Sequence, residues 1–176
     1  MYPARMGIST EQFLFEFSNP LHARGWHAVD DVVMGGVSRS EFRQELSQTA
    51  FTGNLSLEQN GGFCSVRSGL IETYFTGSLE DFSGLVMRVR GDGKKYSLRI
   101  RTDETMDGTS FEWAFEARER WDELRVPWNA LTAIFRGQRV WFAPKFEPAK
   151  IRTVGFIISR QEGPFKLEVD WIKLWT

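Results

Sequence analysis

The chain has 176 residues, 41% of them hydrophobic and 14% aromatic, which is enough to fill the core of one domain spanning 1–176. Its 22 basic and 23 acidic residues leave a formal charge of -1, so no overall field draws it to nucleic acid or to an anionic membrane. No apolar run approaches the roughly 18 to 20 residues that a membrane span needs, and a lone cysteine excludes an internal disulfide or a thiolate zinc cluster.

The opening segment, MYPARMGISTEQ, lacks the apolar stretch of a secretory signal, so the expectation is a soluble cytoplasmic protein. Gln12 to Phe17 then alternates with Phe13, Phe15 and Phe17 on one face, and Ser18-Asn19-Pro20 stops this first strand. Gly25 to Ser40, GWHAVDDVVMGGVSRS, follows a period of neither 2 nor 3.6 and reads as a shaped loop or a bulged strand edge. Glu41 to Leu46 can continue extended, and Ala50 to Glu58 places Phe51, Leu55 and Leu57 on one face. Asn60-Gly61-Gly62 is a turn into a strand from Phe63 to Ser68, where Cys64 and Val66 share a face and the thiol reads as packing.

Leu85 to Arg101 reads as a hairpin with Asp92-Gly93 at its tip, pairing Val89 with Tyr96, Met87 with Leu98 and Leu85 with Ile100. That register collects Arg88, Arg90, Lys95, Arg99 and Arg101 on the opposite face, as an anion-binding surface or a solvated sheet face. Phe111, Trp113, Phe115 and Ala117 alternate with Glu112 and Glu116, which would set acids against the arginines as a charge ladder. Trp121 to Trp128 holds another strand ended by Pro127, and Asn129 to Gly137 is the only stretch that suggests a helical turn. Val154 to Ser159 is apolar on both parities, as a central strand is, and Gly163-Pro164 turns the chain into Phe165, Leu167, Val169 and Trp171. A change of parity at Ile172 and Leu174 marks a bulge. About ten short strands with almost no helix point to an all-β jelly-roll β-sandwich.

The chemistry concentrates in the irregular stretch. Trp26, Asp30, Asp31, Met34, Gly35, Gly36 and Ser38 are candidate binding or structural residues, with Asn60, Gly61, Gly62 and Phe63 expected beside them. Paired glycines permit a positive φ or a close approach. The stretch either closes the fold or presents a surface. His27 beside Asp30 and Asp31 has no nucleophile elbow and no cysteine, and neither metal-ligand spacing nor a phosphate loop occurs, so no catalytic residue, metal or cofactor is expected. A calcium held partly by backbone carbonyls would leave little trace in the sequence. Seven tryptophans and three tyrosines leave room for a sugar-stacking platform, although Trp113 and Trp171 fall on the inward parity.

Trp26 through Asp31, Met34-Gly35-Gly36 and Ser38, then Phe51, Gly53, Leu55 and Gly61-Gly62-Phe63, then Gly163-Pro164-Phe165 with Leu167-Glu168, together resemble the complex I intermediate-associated protein 30 family. The resemblance spans nearly the whole chain. It implies a galactose-binding-domain-like sandwich without known catalysis, in a family whose eukaryotic members assist assembly of respiratory NADH:ubiquinone oxidoreductase. A protein partner is therefore the leading expectation, with a carbohydrate or other small-molecule ligand as the alternative.

Overall fold

A computed structural model describes residues 10–103 and 108–176; the opening segment through residue 9, read above for targeting signals, lies outside them. In chain order the elements are β1 (Glu11–Glu16), α1 (Pro20–Ala23), β2 (His27–Ala28), β3 (Arg39–Glu45), β4 (Gln48–Leu55), β5 (Phe63–Arg67), β6 (Gly84–Arg90), β7 (Lys95–Arg101), β8 (Ser110–Glu116), β9 (Asp122–Pro127), β10 (Thr132–Phe135), β11 (Gln138–Arg139), β12 (Thr153–Ser159) and β13 (Gly163–Trp175). They form two antiparallel sheets in a jelly-roll-like sandwich. The first has six strands in the order β3-β4-β13-β6-β9, with β1 also paired to β13; the second has seven, ordered β11-β10-β8-β7-β12-β5-β2.

β13 is the spine of the first sheet. Its first half pairs with β4 and its second half with β1, while β6 runs along its other edge. β12 holds the corresponding place in the second sheet, between β7 and β5, and its apolar run is buried from Thr153 through Ile158. Between the sheets Phe15, Phe17 and Phe156 surround Trp26, and Phe42 stacks on its indole at 4.3 Å. Each such ring, taken fully out of water, contributes about 2–3 kcal/mol.

The expected hairpin is not one. β6 belongs to the first sheet and β7 to the second. Asp92, placed at the tip, instead ties the crossover down: its carboxylate accepts from the Lys94 and Lys166 amides and from the Tyr96 hydroxyl, while Gly91 and Gly93 donate to Arg118 and Ala117. The inward side chains survive as facing layers across the core. Their outward neighbours therefore separate, Arg88 and Arg90 to one outer face and Lys95, Arg99 and Arg101 to the other. The five-residue basic surface expected from the hairpin does not exist.

Three smaller expectations also fail for local reasons. Asn129 to Gly137 forms a 3₁₀ turn at Trp128–Ala130 followed by strand β10, because pairing with the free edge of β8 outweighs a weak helical preference. Among the described residues the one α-helical turn follows Asn19, whose side chain caps Leu21 with Pro20 at the first position. Bulges in β1 and β13 send Phe13 and Trp171 outward, where they meet edge to face beneath the Lys173 ammonium.

Candidate functional site

The two acids of the irregular stretch are buried where the sheets meet. Asp31 opens a 3₁₀ turn, Asp31–Met34, that Gly35 ends at φ +90°. Its carboxylate accepts the Ser38 amide at 3.0 Å, the Ser38 hydroxyl at 2.6 Å, the Gly62 amide at 2.7 Å and the Phe63 amide at 3.3 Å. Asp30 accepts the Ser40 amide at 2.8 Å, its hydroxyl at 2.6 Å and the Ser65 amide at 3.2 Å. Each acid thus bonds both the segment entering β3, in the first sheet, and β5 or its leading turn, in the second. Burial pushes the Asp31 pKa up, but the four hydrogen bonds outweigh it and hold the carboxyl below its ordinary value.

The two glycine pairs fit this clasp. A Cβ on Gly36 would overlap Oδ1 of Asp31, and one on Gly61 would lie 2.6 Å from Oδ2. Both backbones can close on the carboxylate only without side chains. The turn they lock lifts Val32, Val33 and Met34 off the body as an apolar ledge, 44%, 73% and 70% exposed.

Beyond the ledge a groove of about 750 Å³ crosses the outer face of the second sheet. Met34, Asn60, Gly61, Gly62 and Phe63 bound one end, Arg136 and Gly137 line it beyond β10, and Ser97, Ser110 and Ile157 lie on its floor. Arg99 reaches Glu112 across the β7–β8 ladder at 2.7 Å, as the alternation of β8 suggests.

The expected site residues therefore separate. Trp26 is core, Asp30, Asp31 and Ser38 make the clasp, and Gly35 and Gly36 shape it. Met34 and the 60–63 turn meet at the groove, which Lys95, Arg99 and Arg101 also line. Arg88 and Arg90 lie on the far sheet, paired to Asp170 and Glu168 at 2.6 Å each and stacked on Trp121. His27 has one ring nitrogen on the Gly25 carbonyl and is bonded to neither acid. Cys64 lies in the core behind the clasp, where burial and then the charges of Asp30 and Asp31 push its thiol up to about 12. Arg136 and Arg160 were not legible as groove residues: each follows a strand in sequence, and only the strand order brings them together.

The family pattern described as complex I intermediate-associated protein 30 matches residues 15–169. The chain is 28% identical over 172 residues to a mouse (Mus musculus) protein named complex I intermediate-associated protein 30, mitochondrial, covering 86% of this chain and 52% of that one. It is 26% identical over 173 residues to an uncharacterized protein of Schizosaccharomyces pombe, covering 86% and 78%. The chain spans about half the length of the mouse relative. Among solved structures it is similar to a family 11 carbohydrate-binding module from Clostridium thermocellum in complex with a β-1,3-1,4-mixed-linked tetrasaccharide, at TM-score 0.71 and 12% identity over 93% of this chain and 94% of that one. An agarase, AgWH50C, matches at TM-score 0.60 and 12% identity over 93% of this chain and 24% of that one. These structural likenesses show the fold. Among the described residues no helix is long and apolar enough to cross a membrane.

Proposed function

The chain belongs to the complex I intermediate-associated protein 30 family, and on that footing we propose that it is a non-enzymatic, protein-binding module that assists assembly of respiratory NADH:ubiquinone oxidoreductase or another multi-subunit complex. The observation that carries the proposal is the ledge. Val33 and Met34 keep most of their surface in water, yet a saturated carboxylate clasp fixes the turn that displays them. Rigid apolar side chains bind a partner with little ordering cost, and methionine adapts to irregular surfaces. The acids themselves support the non-enzymatic reading, since their oxygens are already occupied by amides and hydroxyls.

A photo-crosslinking amino acid at Val33, expressed in the native host, tests this. The expected adduct is a subunit of a membrane-associated complex, absent when the crosslinker replaces Leu46, which is 98% exposed. Equal adducts from both positions, or none from Val33, would contradict it. The cytoplasmic setting is part of the proposal; fractionation that pelleted the chain with an organelle would remove that part.

A second reading, a carbohydrate-binding sandwich, draws on the groove and on the likeness to carbohydrate-binding modules. Calorimetric titration with cellohexaose and with a mixed-linked tetrasaccharide tests it, and no heat from either removes it.

A further inference from the structure

The groove has a charge that the whole protein lacks. Among the described residues, Lys95, Arg99, Arg101, Arg136 and Arg160 line it against one carboxylate, Glu112, on a chain whose net charge is -1. Glu112 is already held by Arg99. Lys95, Arg136 and Arg160 are exposed, and among the described residues none of the three has an ion-pair partner. Deeper down, the Arg101 side chain is 11% exposed; its Nη1 donates to the Gly108 carbonyl at 3.2 Å and lies 3.9 Å from Asp103, while its buried Nε has no partner among the described residues. Burial, then the neighbouring Arg99 and Arg67, lower its pKa to about 10, so the site is one in which cations already crowd one another.

Shape narrows the occupant. The groove runs from β5 over β12, β7 and β8 to β10. Four inter-strand intervals of about 4.8 Å make it roughly 19 Å across, the span of about six extended residues. A single small anion would leave most of that length empty. Among the described residues the only rings lining the groove are Phe63 and Tyr96, and Tyr96 is 2% exposed with its hydroxyl on Asp92. Neutral sugars and single-stranded bases bind on open aromatic faces, which this floor does not supply. It supplies Ile134, Ile157, Ala114 and Met34 between the cations.

We propose that the groove is a docking channel for an extended, acidic peptide segment of a partner protein, its carboxylates meeting Lys95, Arg136 and Arg160 and its apolar side chains resting on Ile134 and Ile157. The proposal rests on the protein-partner reading above and names the chemistry of that partner. Long-range attraction between such charges speeds encounter and weakens with salt.

Fluorescence anisotropy tests it with a fluorescein-labelled dodecapeptide of alternating Glu and Val, a version with every Glu made Lys, and an oligothymidine of equal length. The acidic peptide binds, the lysine version does not, and affinity falls at least about tenfold between about 50 and 300 mM salt. The rim variant Lys95→Glu/Arg136→Glu/Arg160→Glu, made entirely at exposed positions and checked by circular dichroism, loses at least about tenfold in affinity. No saturable binding of the acidic peptide, equal binding by the rim variant, tighter binding of oligothymidine, or displacement by cellohexaose would each overturn the proposal. A rim variant that still forms the Val33 adduct, in a protein that binds no acidic peptide, sinks the groove and leaves the assembly reading standing. Peptide binding without any Val33 adduct does the reverse.

Discussion

Replacing Asp31 by asparagine removes the charge of the clasp while keeping its shape. Oδ1 accepts from the Ser38 amide, and Oδ2 accepts from the Ser38 hydroxyl and the Gly62 and Phe63 amides. An asparagine must present its NH₂ on one side. With the amide oxygen facing the three Oδ2 donors, the NH₂ points at the Ser38 N–H, and two buried donors oppose each other. One donor left without an acceptor costs about 2 kcal/mol, and weakening three charge-assisted bonds to neutral ones adds about 1 kcal/mol. The expected loss is about 3 kcal/mol, read in urea unfolding as a midpoint lower by about 1.5 M at a slope near 2 kcal/mol/M, or in heating as a transition lower by roughly 6–12 °C. The dependence on pH has a definite sign. The folded-state pKa of Asp31 lies below its ordinary 3.8, so the carboxylate stabilises the fold above that value and the contribution is lost as pH falls below it. The gap between parent and variant should therefore narrow from pH 7 towards pH 3. A variant within about 0.5 kcal/mol of the parent at pH 7 would refute the clasp and return Asp31 to the list of ligand-contacting groups.

Gly36→Ala forces a methyl into the Asp31 carboxylate and should cost about 2–3 kcal/mol, with at least about 1 kcal/mol of that recovered when Asp31 is also alanine, by a double-mutant cycle. Gly35→Ala, with nothing within 4 Å and φ at +90°, should cost about 1–2 kcal/mol from backbone strain whatever stands at position 31; coupling to Asp31 would contradict the geometry. Cys64, with its thiol pushed up to about 12, should stay unreactive to a chromogenic disulfide reagent until urea unfolds the chain, and prompt reaction of the native protein would count against its burial. Val33→Ser with Met34→Ser should leave the unfolding free energy within about 0.5 kcal/mol of the parent, because both side chains already face water; a larger loss would make the ledge part of the core.

The sandwich was legible because period-2 alternation in β4, β8 and β13 and the doubly apolar β12 record how each strand is covered. Which strand sits beside which was less legible. Leu85 to Arg101 has hairpin periodicity, but periodicity states only which side chains face inward. The strand order puts the two strands in different sheets, and the Asp92 carboxylate, which accepts the Lys166 amide 74 residues on, ties down the crossover between them. The same limit applies to the site. Asp31, Gly36 and Gly61-Gly62 stood out as an aperiodic, glycine-rich pattern, and their proximity followed from the turn chemistry. Arg136 and Arg160 carry no local signature, and their charge matters only once β10 and β12 are placed in the second sheet. Trp26 looked as much like a ligand platform as a core ring until Phe15, Phe17, Phe42 and Phe156 closed around it.

The clasp is internal, and under the proposed function the ledge is what a partner touches. Methionine oxidation in the chain alone and in the complex isolated from its native host tests this directly, with Met87, 0% exposed against 70% for Met34, as the buried reference. Met34 should oxidise readily when the chain is alone and become as slow as Met87 in the complex. Equal oxidation of Met34 in both states would contradict the account.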